Sequence, residues 1–233
     1  MEHETAFVFP GQGSQYAGMG KDVFEAYPAA RKVFHDIDEA LGFEISKLCF
    51  EGPEDQLKLT ENTQPAILAV SSAIHAVLEE LGAARRDIVA GHSLGEYSAI
   101  VSVGGLTPAD AAKIVRARGR FMQEAVPVGT GGMAALIGPS VDDAPFKDLW
   151  VALVSNVDAS PIGTATAVRN ALLRQVASPV RWVESVQKMI AMGVKRFVEV
   201  GPGNVLTGLI KRIDASVELV NVSDVASIEA FVK

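Results

Sequence analysis

The sequence predicts an α/β protein, with a mainly parallel sheet covered by helices on both faces. Three observations carry this. Short apolar runs of strand length alternate with longer segments of helical periodicity, the pattern of a parallel sheet buried on both sides. One of those runs leads directly into Gly91-His92-Ser93-Leu94-Gly95, a Gly-x-Ser-x-Gly turn between a strand and a helix. Gly is abundant, at 21 of 233 residues, and aromatic residues make up only 6%, which suits tight turns.

Ala6-Phe7-Val8-Phe9 is an apolar run stopped by Pro10-Gly11 and reads as a buried strand, followed by a loop over Gln12-Gly13-Ser14-Gln15. Helical patterns run from Phe24 to Leu41. Asn62-Thr63-Gln64-Pro65 opens a long helix from Ala66 to Leu81, ended by Gly82. Apolar and small residues cover most of its faces, which makes it central. Asp87 to Ala90 is the next strand, and Leu94 begins the next helix. Thr107-Pro108-Ala109-Asp110 starts another, with Thr as cap and Pro at the first helical position, running to about Ala125. Val126 to Gly132 is a flexible connection, Met133 to Ile137 a strand, and Gly138 to Asp148 irregular. Trp150 to Val157 reads as a strand, and Ser178-Pro179 starts a capped helix through Met192. Arg196 to Val200 is a strand and Gly201-Pro202-Gly203 a turn. Asn204 to Ile213 is a helix with Lys211 and Arg212 at its negative end, and Val217 to Val222 is the last strand.

Charge and composition exclude several classes. A net charge of −7 argues against a nucleic-acid partner. No apolar run is long enough to span a bilayer, and Met1-Glu2-His3-Glu4-Thr5 lacks the basic start and apolar stretch of a signal peptide. Cys49 is the single cysteine, so no internal disulfide forms. The expected setting is cytoplasmic. No metal site is expected, because the four histidines have no ligand-like spacing. Gly201-Pro202-Gly203 lacks the third glycine of a dinucleotide fingerprint.

The chemistry centres on Ser93. A serine hydroxyl is a weak nucleophile that needs exposure, a base, and donors for the oxyanion formed on the attacked carbonyl. The elbow supplies exposure, and the helix that follows aims its free N–H groups and positive dipole end at the reacting centre. The Leu94 N–H is the natural first oxyanion donor. Neighbouring side chains at a sharp elbow point apart, so His92 reads as a packing group rather than the base.

Several motifs stand together. They are Phe7-Val8-Phe9-Pro10-Gly11-Gln12-Gly13-Ser14-Gln15, Asn62-Thr63-Gln64-Pro65, Gly91-His92-Ser93-Leu94-Gly95-Glu96 and Arg118-Gly119-Arg120-Phe121-Met122-Gln123. Further on come Ser155-Asn156-Val157, Gln175-Val176-Ala177-Ser178-Pro179-Val180-Arg181-Trp182 and Glu199-Val200-Gly201-Pro202-Gly203. In order and approximate spacing the chain resembles the malonyl-CoA:acyl carrier protein transacylases from about residue 5 to 213.

The resemblance implies a hydrolase-like core and ping-pong acyl transfer, with Ser93 taking malonyl from coenzyme A and passing it to the pantetheine thiol of acyl carrier protein. Malonyl-CoA is then substrate and no cofactor is bound. Gln12 matches the family's glutamine beside the oxyanion, with Leu94 N–H as partner donor. Arg118 matches the arginine that pairs with the malonyl carboxylate, a role that suits a planar guanidinium. Gln64 either lines the same cleft or has a helix-capping or purely structural role. Gln175 matches a glutamine that holds the family's catalytic histidine. Lys113, Arg116 and Arg120 are expected on an exposed basic face.

The chain departs from the family at that histidine. His3, His35, His75 and His92 are its only histidines, so none follows Ser93. The family carries its histidine in a small ferredoxin-like subdomain, which is expected to be mostly absent here. The large domain is then 1–130 and 146–233, with 131–145 as remnant or junction, and Lys147 lies on an ordinary connection rather than at the histidine position. Two alternatives stay open: a non-catalytic acyl-CoA or carrier-protein binding module, and an engineered deletion form. An ordinary esterase, which also needs a downstream histidine, leaves Gln12 and Arg118 unexplained.

Overall fold

The computed structural model describes residues 4–124 and 141–233. Among the described residues, six strands form one sheet: β1 (Thr5–Phe9), β2 (Ile88–Gly91), β3 (Leu153–Val154), β4 (Pro161–Ile162), β5 (Arg196–Val200) and β6 (Glu218–Val222). Their spatial order is β4-β3-β2-β1-β5-β6, and every neighbouring pair is parallel except β3 with β4. The α/β class and the mainly parallel sheet are as expected.

The strand pleat divides the core in two. Phe7 and Phe9 of β1, Val89 of β2 and Val198 and Val200 of β5 face the larger cluster. Ala6 and Val8, Ile88 and Ala90, and Phe197 face the smaller one. The larger cluster is covered by helices Pro28–Leu41, Thr60–Glu80, Gly95–Ser102 and Pro108–Glu124. The smaller is covered by Trp182–Ala191 and Val205–Ile213. Helix Thr60–Glu80 is buried at nearly every position from Thr63 to Leu78, which makes it the central helix.

Several boundaries differ from expectation for local reasons. The pattern from Phe24 to Leu41 holds two helices, Lys21–Ala26 and Pro28–Leu41, because Tyr27 is extended before a Pro at the first helical position. The central helix starts at Thr60, so Asn62 to Pro65 lie inside its first turns rather than before them. The run Trp150 to Val157 pairs only at Leu153–Val154. The chain then turns at Ala159 (φ 49°) and returns as the antiparallel β4.

Ser178-Pro179 does not start a helix: Ser178 lies on the turn that closes the preceding helix, its N–H bonding to Gln175 O at 3.3 Å, and helix Trp182–Ala191 begins after Arg181, whose N–H bonds to Asn156 O at 2.9 Å. Two unexpected helices have clear caps. Thr164 accepts from Ala167 N to open Ala165–Gln175, and Asp224 forms a capping box for Val225–Val232. The expected connection over 126–132 and strand over 133–137 lie outside the described residues, as does most of the 131–145 junction.

Candidate active site

Ser93 stands on a sharp turn between β2 and helix Gly95–Ser102. Its φ of 52° places a non-glycine residue in the left-handed region, the strained conformation of a nucleophile elbow. The two glycines are required by space. A Cβ on Gly91 would lie 2.0 Å from Gly95 carbonyl atoms, and one on Gly95 would lie 2.0 Å from Phe9 O. The helix after the elbow therefore sits directly against β1. Turn bonds Gly95 N to His92 O (2.9 Å) and Glu96 N to Ser93 O (3.1 Å) close the elbow.

Asn156 fixes the Ser93 backbone from the neighbouring β3 segment. Its Oδ1 accepts from Ser93 N at 2.7 Å, and its Nδ2 donates to Gly91 O at 2.6 Å. A fully buried amide thus replaces the sheet partners that the turning chain has lost.

The side-chain face is organised by Arg118, buried in helix Pro108–Glu124. Its Nη2 donates to Ser93 Oγ at 3.0 Å and to Gln175 Oε1 at 3.3 Å, and its Nη1 donates to Gln64 Oε1 at 2.6 Å. Gly119 makes this approach possible: a Cβ there would lie 2.6 Å from Thr60 O, so helices Thr60–Glu80 and Pro108–Glu124 touch backbone to backbone. Gln64 is fully buried inside the helix and does not cap it, and its Nε2 contacts Met122 Sδ at 3.3 Å. Gln175, at the end of helix Ala165–Gln175, donates through Nε2 to Ser93 O at 3.1 Å and to Glu96.

Four expected residues, Ser93, Arg118, Gln64 and Gln175, are thereby joined in one hydrogen-bonded cluster. Gln12 is exposed and bonds through Nε2 to Thr60 Oγ1 at 3.3 Å. Its loop still lies against the elbow, since a Cβ on Gly11 would lie 2.4 Å from His92 O. Leu94 heads the elbow helix with its side chain buried.

His92 points away, as a packing group: its ring meets Trp182 edge-on at 5.6 Å, and burial lowers its pKa. Lys147 is exposed on the connection before β3. Lys113 and Arg120 are exposed as expected, whereas Arg116 is half-buried with its guanidinium 4.0 Å over the Phe43 ring.

Sequence reasoning missed Glu96 as a member of the site. Its carboxyl is fully buried, receives Gln175 Nε2, and faces Asn156 N at 3.4 Å. Burial pushes it up to about 8, against the pull of Gln175, Asn156 and Arg118. An acidic residue in a first helical turn ordinarily reads as a solvated partner for the dipole, so nothing local marks it.

Residues 6–161 match the acyl transferase domain family. A Bacillus subtilis (strain 168) protein named malonyl CoA-acyl carrier protein transacylase is 35% identical, the match covering 97% of this chain and 95% of the relative. The chain belongs to the malonyl-CoA:acyl carrier protein transacylase family. Among solved structures, an acyl carrier protein S-malonyltransferase from Vibrio cholerae superposes with a TM-score of 0.89 at 34% identity, covering 97% of this chain and 99% of that one. A malonyl-transacylase solved in complex with a type II polyketide-synthase acyl carrier protein gives 0.89 at 31%, covering 98% and 99%.

The alignment with the Bacillus relative runs over 303 positions against the 233 residues of this chain. At least 70 of its positions, the excess of 303 over 233, hold residues of the relative alone. Among the described residues, no helix is long and apolar enough to cross a membrane, and no group of three His, Cys, Asp or Glu side chains could hold a metal ion.

Proposed function

We propose that this chain takes a malonyl group from coenzyme A onto Ser93 and passes it to the pantetheine thiol of acyl carrier protein. The observation that carries this reading is Arg118. Its guanidinium is buried beside the Ser93 hydroxyl, and its hydrogen-bond acceptors there are neutral oxygens. A buried cation without a counter-ion is costly, and an acyl group ending in a carboxylate supplies one. The family's printed names support malonyl-CoA as donor and acyl carrier protein as acceptor.

In the first half-reaction Ser93 Oγ bonds to the thioester carbonyl carbon, the C–S bond breaks, and coenzyme A leaves as the thiol with the serine's proton. The Leu94 N–H, with Gln12, receives the transient oxyanion. In the second, the pantetheine thiol attacks the Ser93 ester and Ser93 recovers a proton. Gln64 and Gln175 hold the guanidinium for the substrate carboxylate. A reducing, cytoplasmic setting fits Cys49, which is buried and free.

We further read residues 1–130 and 146–233 as the large domain, with the relatives' extra positions falling at 131–145. On this reading the proton acceptor found elsewhere in the family is missing, because no histidine follows Ser93. General-base help is typically worth about 10²–10⁴-fold, so turnover is expected to be slow while binding persists. That same observation favours one second reading, a binding module that keeps the acyl pocket.

The test is incubation with labelled malonyl-CoA. A malonyl adduct on Ser93, absent in Ser93→Ala, supports acyl transfer, and imidazole in the buffer is expected to speed its formation. Transfer onward to acyl carrier protein separates the enzyme from the binding module. An adduct that persists in Ser93→Ala overturns the assignment of the nucleophile.

A further inference from the structure

We propose that Glu96 is the positioning residue of this site: it fixes which end of the Gln175 amide faces Arg118, and so aims the donor that meets the substrate carboxylate. The inference rests on the malonyl reading above for its ligand, but its geometry is independent of it.

Gln175 has one donor end and one acceptor end. Its Nε2 faces two acceptors, the Glu96 carboxyl and Ser93 O, while its Oε1 faces the Arg118 donor. Turned over, the amide would set its N–H₂ against a guanidinium and its oxygen against two oxygens. An ionised Glu96 can only accept, so it locks the observed orientation.

A protonated Glu96 instead carries an O–H that needs an acceptor, and the turned Gln175 offers one. Arg118 Nη2 would then lose Gln175 and keep only Ser93 Oγ. A guanidinium binds a carboxylate as a fork along an edge of two parallel N–H groups, and both such edges include Nη2. The setting of Nη2 therefore decides how well a carboxylate is held.

The charged groups around Glu96 are few. Arg118 approaches from helix Pro108–Glu124. Asp158 lies on the turn before β4 and is clamped by Arg174 of helix Ala165–Gln175 at 2.6 Å. Tyr97, the next residue on its own helix, is fully buried. The first of these favours the ionised form of Glu96 and Asp158 opposes it, with burial the dominant effect. The midpoint of about 8 puts both protonation states within reach of ordinary buffers.

The experiment labels Ser93 with a neutral fluorophosphonate and uses free malonate and uncharged acetamide as protecting ligands, from pH 7 to 9. For the native chain the malonate-over-acetamide preference should rise roughly ten-fold, following the ionised fraction of a group with that midpoint. In Glu96→Gln the preference should be independent of pH, because an amide does not titrate. A native preference that is flat with pH, or a Glu96→Gln profile matching the native one, overturns the proposal. The native profile alone decides the matter if Glu96→Gln does not fold. Acylation of native Ser93 by malonyl-CoA is scored separately. Its failure beside an intact malonate profile sinks the transfer reading and leaves the role of Glu96 standing.

Discussion

Two buried arginines, Arg86 and Arg118, have opposite surroundings. Arg86 is met by its own chain. Its Nη1 pairs with Glu79 at 2.7 Å, it donates to the Ala84 and Ser102 carbonyls, and its guanidinium lies 4.4 Å over Trp150 and 5.7 Å over Phe7. His75 and Arg86 together hold the Glu79 carboxyl down to about 2, and burial lowers the His75 pKa. Arg118 is met by Gln64, Gln175 and Ser93, and the nearby carboxyl, Glu96, is raised to about 8. In both residues Nε lacks a hydrogen-bond partner among the described residues, so what separates them is the counter-ion. On the proposed reading the satisfied arginine serves the fold, and the unneutralised one beside Ser93 serves a ligand.

The contrast breaks first at Arg86. Arg86→Met removes a charged donor from two buried carbonyls and from Glu79. It should cost about 3 kcal/mol, read as a lower urea midpoint, because hydrogen bonds from charged groups contribute about 1.5–3 kcal/mol each and Glu79 regains water. Acylation of Ser93 in the folded fraction should not change. A loss of malonyl transfer without a loss of stability would remove the distinction.

Arg118→Met should do the reverse. Stability should fall less than in Arg86→Met, since removing a buried cation that has no counter-ion offsets part of the cost of leaving Gln64 Oε1 and Gln175 Oε1 without their donor. Preference for malonyl-CoA over acetyl-CoA in single-turnover acylation should fall roughly 10- to 100-fold, the worth of a charge-assisted pair. An unchanged ratio removes the carboxylate role. A large loss of stability shows that Arg118 is structural, as Arg86 is.

How far the two sites can be read from sequence follows from their physics. Ser93 is legible because the elbow demands Gly91 and Gly95 at fixed offsets, and Arg118 because its motif stands among others in order. The alternating strands are legible because Phe7 and Val8 face different cores. Glu96 and Asn156 stand in those motifs, but their roles, like that of Arg86, are not legible, because burial and partner choice are set by segments far apart in the chain: Asn156 reaches Ser93 across 63 residues and Gln175 reaches Glu96 across 79. The helix Ala165–Gln175 had a signal, Thr164 followed by Val168, Ala171 and Leu172 at helical spacing, and it holds Gln175 at its end. The Trp150 strand was misread because an apolar run says nothing about which of its residues find a neighbour.

That misreading points to the smallest of these effects. Trp150 is not a strand residue filling a core. It is 62% exposed and lies flat over the Arg86 guanidinium, and Gly104 packs against its indole, where a Cβ would lie 3.1 Å from Nε1. A cation over an aromatic face at such a site contributes about 0.5–1 kcal/mol. Trp150→Ala should therefore lower the unfolding free energy by that amount, read as a lower urea midpoint, and leave Ser93 acylation untouched. In the Arg86→Met background it should cost little further, because the cation is already gone, and that non-additivity is the signature of direct coupling. Additive losses would mean that Trp150 shields the Arg86 site by burial alone.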